Sequence, residues 1–217
     1  SGDIGIQFNT GADGNDVTLT GNITTTGDAA YGLLLSQSNS NTVNMTGNII
    51  ITAKDSTGLG LFISDSNTIT ITGDIITSGT NSEAILIDSS DSNTITLSGK
   101  VQSLGGDQAI SIFANSDANT FNIQSGSTFL GDFENLGTNT VITNQGVMDG
   151  IDNSGSIATF NNAQTGATYS GTLPVNYNII INSRTAYGQM FVTSEAGSTD
   201  FGLSSVSTNL FNGKYSN

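Results

Sequence analysis

Few residues in this chain carry side chains suited to chemistry. It has no His and no Cys, so the usual general base, the thiol nucleophile and the soft metal ligands are all missing. Carboxylates remain, with 18 Asp and Glu against four Lys and Arg and a net charge of −14. Asp88 and Asp91 lie close together, and two carboxyls held about 5 to 9.5 Å apart can act as acid and base on a glycosidic bond. Their segment repeats elsewhere, however, as Ser64-Asp65-Ser66 and Ser116-Asp117-Ala118, which predicts a structural turn in place of a catalytic pair. Arg184, the only Arg, is expected at a turn or a strand edge. No catalytic residue, metal ligand or cofactor is expected. The other reactive groups are hydroxyls, above all those of Thr18, Thr20, Thr42, Thr46, Thr68, Thr70, Thr72, Thr94, Thr96 and Thr120.

Those threonines recur because the chain repeats. NDVTLTG opens at Asn15, NTVNMTG at Asn41, NTITITG at Asn67, NTITLSG at Asn93 and NTFNIQS at Asn119, each 26 residues after the last. Gly21, Gly47, Gly73 and Gly99 keep the same step. A period of this size marks a solenoid or a propeller. Within one unit Ile69 and Ile71 alternate with Thr68, Thr70 and Thr72, the pattern of a strand with one buried face. Two further short runs follow, Asp74-Ile75-Ile76-Thr77 and Ala84-Ile85-Leu86-Ile87, separated by Gly, Ser, Thr and Asn. Three short strands per unit are too few residues for a propeller blade of roughly 40 or more. The expectation is an all-β fold, a right-handed, three-sided parallel β-helix with 26-residue coils over residues 1–174, followed by a β junction module over residues 175–217.

Stacked coils align equivalent positions about 4.8 Å apart. Val17, Val43, Ile69, Ile95 and Phe121 form one expected inward column, and Leu19, Met45, Ile71, Leu97 and Ile123 another. Asn15, Asn41, Asn67, Asn93 and Asn119 form a column at a bend, where stacked side-chain amides can satisfy turn backbone from coil to coil. The threonines named above occupy the outward positions of the first strand. After Asn119 the rhythm shortens: Asn135, Asn144, Asn153 and Asn162 are nine apart, as are Phe133, Ile142, Ile151, Phe160 and Tyr169. Three such steps make nearly one earlier coil, so each side of the triangle is expected to follow a single strand-plus-turn template. At the other end Ile4-Gly5-Ile6-Gln7-Phe8 matches the run at Tyr31-Gly32-Leu33-Leu34-Leu35, so the first residues fall in mid-coil, and the mature protein is expected either to extend further ahead of Ile4 or to have been cleaved there.

With so few basic residues, phosphate backbones and anionic membranes are disfavoured partners. The dispersed acidic residues are expected to keep a β-rich rod soluble. No apolar segment long enough for a membrane helix occurs in these residues, and any export signal is expected outside them. Gly11-Ala12-Asp13-Gly14-Asn15-Asp16-Val17-Thr18-Leu19 approaches the calcium-binding nonapeptide of β-rolls, but it occurs once with its apolar residue displaced, and reads as a Gly/Asp turn.

The last 40 or so residues run YNIIINS, TAYGQMFVT, DFGL and NGKY. This order resembles the junction, or autochaperone, region at the C-terminal end of bacterial autotransporter passenger domains, with Arg184 where that pattern has Pro. The resemblance implies a passenger or a piece of one: a non-enzymatic rod at or released from a bacterial surface, adhering to a glycan or protein of a host or neighbouring cell. Two other readings stand beside it. The Thr columns resemble ice-binding solenoids, although Asp16, Asn44, Asn122 and Gln124 interrupt them. Solenoid ends can also stack head to tail, which implies self-association along the axis into a fibre.

Overall fold

The computed structural model describes residues 2–106 and 108–207. Among these residues there are 22 strands and no helix, wound as a β-solenoid of about eight turns. The repeat explains the winding. A coil opens on the strand Asp16–Thr20, Thr42–Thr46, Thr68–Thr72 or Thr94–Ser98. Next come Ile23–Thr25, Ile49–Ile51, Ile75–Thr77 or Lys100–Ser103, and last Tyr31–Ser36, Thr57–Phe62, Ile85–Asp88 or Ile110–Ile112. Each strand pairs in parallel with its counterpart one coil on. The registers are those of the repeat: Val17 lies against Val43, Val43 against Ile69, Ile69 against Ile95 and Ile95 against Phe121. The opening strand Ile4–Phe8 pairs with Tyr31–Ser36, with Ile4 beside Tyr31.

The alternation of residue types settles which side faces in. Val43, Ile69, Ile95 and Phe121 are fully buried, as are Met45, Ile71, Leu97 and Ile123, whereas Val17 and Leu19 in the first coil are half-buried. Burying a side chain of this size stabilises the fold by about 1.5–3 kcal/mol, so these columns supply its main driving force.

The bend after the first strand needs glycine. Gly47, Gly73 and Gly99 have φ of 139°, 141° and 146°. A Cβ on any of them would lie 2.2–2.3 Å from the carbonyl oxygen of the glycine one coil below. Only a residue without a side chain lets coils approach this closely.

Beyond Asn119 the coil narrows, and the expected three nine-residue steps per turn are not what forms. The eight-residue strand Thr128–Asn135 pairs with Lys100–Ser103 through Thr128, Phe129 and Leu130, and with Ile110–Ile112 through Phe133, Glu134 and Asn135. It thereby fuses two strand columns into one. Each later coil has two strands, and two steps of nine close it: Phe133 pairs with Ile151 and Ile151 with Tyr169, while Ile142 pairs with Phe160. Asn135 reaches Asn153, and Asn144 reaches Asn162, 18 residues away in each case. Aromatic rings fill this narrower interior, with Phe121 edge-on to Phe133 at 4.9 Å and Phe160 tilted against Tyr177 at 5.6 Å.

The segment set apart in the sequence at residue 175 extends the same two sheets. Asn176–Ile179 pairs with Ile157–Asn162, Met190–Ala196 with Ala167–Thr172, and Asp200–Leu203 with Asn176–Ile179, all in parallel. Ile181 and Tyr187 form an antiparallel bridge between them. Gly213-Lys214-Tyr215, read above as part of the junction, lies outside the described residues.

Candidate binding face

Most polar side chains of the turns are spent on holding one coil to the next. Asn41, Asn67, Asn93 and Asn119 are buried. In this column the main-chain amides of Asn15, Asn41, Asn67 and Asn93 each donate to the Oδ1 of the next asparagine at 2.9 Å. The side-chain amides donate to the same oxygens at 2.9–3.1 Å. The column thus links each coil to the next.

A second ladder, two residues earlier, is built from Asp13, Asn39, Asp65, Asp91 and Asp117. Here the polarity reverses: the amides of Asn39, Asp65, Asp91 and Asp117 donate back to the Oδ1 of the preceding coil at 2.6–2.8 Å. Between the two ladders Ser40, Ser66, Ser92 and Ala118 adopt a left-handed backbone with φ of 56–59°. That conformation costs about 1–3 kcal/mol per residue, which the paired ladders offset. Further ladders join Ser38, Ser64, Ser90 and Ser116, and Asn22, Asn48 and Asp74. All of them follow the 26-residue step.

The residues singled out for acid-base chemistry fall into this framework. Asp91 accepts the Asp117 amide, and Asp88 accepts the Ser89 hydroxyl at 3.0 Å. Arg184 sits several coils away, in the turn where the amides of Asn182 and Ser183 donate to the carbonyl of Ala186. Asp13 of the nonapeptide-like segment accepts the Asn39 amide, and Gly11 and Gly14 take positive φ. Among the described residues no group of three or more carboxylates is placed to hold a metal ion.

Three buried or half-buried tyrosines have raised pKa values. Burial pushes the Tyr169 phenol well above its ordinary range, against the smaller opposite effect of its hydrogen bond from Asn153. Tyr177 is raised by burial and lowered in part by Asn162. Tyr31 is raised by burial and by the nearby charge of Glu83. All three phenols are fixed in the neutral form as packing groups, which leaves them without a role as acids near neutrality. At the last coil Tyr177, Tyr187, Met190 and Phe201, drawn from three of the four junction motifs, line an apolar groove of about 460 Å³.

The nine-stranded sheet offers the other candidate. Its outward positions bring all ten predicted threonines onto one face in three columns: Thr42, Thr68, Thr94 and Thr120; Thr18, Thr70 and Thr96; and Thr20, Thr46 and Thr72. Asp16, Asn44, Ser98 and Asn122 complete the array. The face is wet: Thr18, Thr20, Thr46, Thr68 and Thr72 are exposed and the other five half-buried. Among the described residues none of the ten hydroxyls bonds to a protein group, in contrast to the serines and asparagines of the turns. The columns continue through Thr143, Asn161 and Asn178. There the side chains bond to one another, Asn161 to Thr143 and Asn178 to Asn161, each at 3.1 Å. No ionisable side chain points outward from this sheet between Asp16 and Asp200, which lie on its first and last strands. Compared with protein families, curated proteins and solved structures, the chain matches none.

Proposed function

We propose that this chain is a stiff, non-enzymatic adhesive rod, the passenger segment of an autotransporter, held at or released from a bacterial outer surface. In this reading the winding is right-handed and the wide coils are three-sided. The observation that carries the rod is the consumption of turn chemistry by ladders: Asn, Asp and Ser side chains bond coil to coil, while a periodic face of threonine hydroxyls is left without protein partners among the described residues. Such a surface suits adherence through many repeated weak contacts better than turnover at one site. The order YNIIINS, TAYGQMFVT and DFGL supports the surface assignment.

The test has two parts. The native coding sequence past Asn217 is expected to encode about a dozen alternating strands of a membrane barrel. Protease added to intact cells expressing the native gene is expected to remove the rod while a periplasmic marker survives. A rod protected in intact cells and cleaved only after lysis would refute surface display.

A further inference from the structure

We infer that the Thr face binds ice. The inference rests on the adhesive reading of this face, and not on surface display. Three observations select this partner over a protein or a glycan. First, across the strands from Val17 to Thr120 the outward side chains are Thr, Asn and Ser, with no aromatic residue and no Arg. Protein interfaces draw most of their binding energy from Trp, Tyr and Arg, and sugar rings are gripped by stacking on aromatic planes. Neither anchor is present.

Second, the hydroxyls are unspent. A threonine bonded to its neighbours would present only a methyl, but those of Thr68, Thr70, Thr72, Thr94 and Thr96 have no protein partner and lie beside one another in register. They repeat about every 4.8 Å across the strands and about every 7 Å along them. Each hydroxyl can fix one water, and each methyl crowds that water toward its neighbours. A two-dimensional lattice of such sites holds a water layer in rows.

Third, the face carries no charge apart from its two end strands, although the chain as a whole has a net charge of −14. An ionised side chain orients water radially about itself and would break a planar layer. Acidic residues are placed in turns and on other strands, as with Asp65, Asp91 and Glu134. The most regular patch is therefore Thr68–Thr72 with Thr94–Ser98, flanked by Thr42, Thr46 and Thr120.

The test uses the purified chain in nanolitre osmometry and in ice-recrystallisation assays. The chain is expected to shape ice crystals and to suppress recrystallisation. Thr70→Lys, at the middle of the patch, is expected to lose most of that effect. Thr24→Lys, at an exposed outward position on a different strand column, is expected to keep it. Circular dichroism checks that both variants stay folded. No effect of the native chain on ice, or equal losses in the two variants, overturns the inference. So does retention on an insoluble neutral polysaccharide without any effect on ice. None of these failures alters the protease result, so the display reading stands or falls separately.

Discussion

The Oδ1 of Asn67 takes two hydrogen bonds from one residue, Asn41, the main-chain amide at 2.9 Å and the side-chain amide at 3.1 Å. Its own side-chain amide donates to the Ser38 carbonyl and to Asn93, so every polar group of this buried residue is occupied.

Asn67→Ala strands two buried donors on Asn41 and an acceptor on Ser38. The expected cost is roughly 3–5 kcal/mol, since each orphaned buried group costs about 1–3 kcal/mol. Asn15→Ala, at the exposed first position of the column, is expected to cost under about 1 kcal/mol. Urea unfolding of the two variants makes the comparison. Equal costs would mean that the column is decorative.

Gly73→Ala combines a φ of 141° with a Cβ placed 2.3 Å from the Gly47 oxygen. A loss of roughly 2–5 kcal/mol is expected. At Gly11, φ is 78° with open space around it, so alanine there meets backbone strain alone, roughly 1–2 kcal/mol. Thermal melts of both variants would separate strain from collision.

Tyr169 and Tyr177 make the fold sensitive to alkali. Their folded pKa values lie above the unfolded value of about 10, so the unfolded chain releases its protons first. Their contribution is complete below about pH 10 and fades as the pH climbs through the folded values. The melting temperature is expected to fall above about pH 10, and the double variant Tyr169→Phe, Tyr177→Phe to fall less steeply from a lower neutral value. A pH series of melts, followed by tyrosinate absorbance, decides this.

Asp65, Asp91 and Asp117 stack three carboxylates along one edge, each accepting the amide of the next coil, and Asp117 the Thr138 hydroxyl as well. Asp91→Asn keeps the acceptor and removes a like charge from both neighbours. It is expected to stabilise the fold by about 0.5 kcal/mol at low salt, with the gain shrinking as salt is added. A variant less stable than the parent at every ionic strength would show that the charge itself is used.

Periodicity carried the wide coils almost completely. Once Asn15 and Asn41 are aligned, the inward columns, the outward threonines and the Gly step follow, because a strand has only two faces and a stack only one register. The ladder from Asp13 to Asp117 was equally periodic but mixes Asp with Asn, which hides that both supply the same acceptor oxygen. The narrow coils were misjudged for a different reason. A nine-residue step defines one strand and one turn, whereas the number of steps that close a coil depends on how the chain bends at Thr128–Asn135. That bend lies at Gly131, between Phe129 and Asp132, where the register slips. Local pattern does not encode it.

The handover from 26-residue to 18-residue coils also has a mechanical consequence. Resistance to flexing rises steeply with the depth of a beam, and past Asn135 the described coils have two strands per turn. Bending is therefore expected to concentrate in the two-stranded coils, where the section is thinner, and to leave the three-stranded coils straight. Electron micrographs of single molecules would place any curvature in the two-stranded coils.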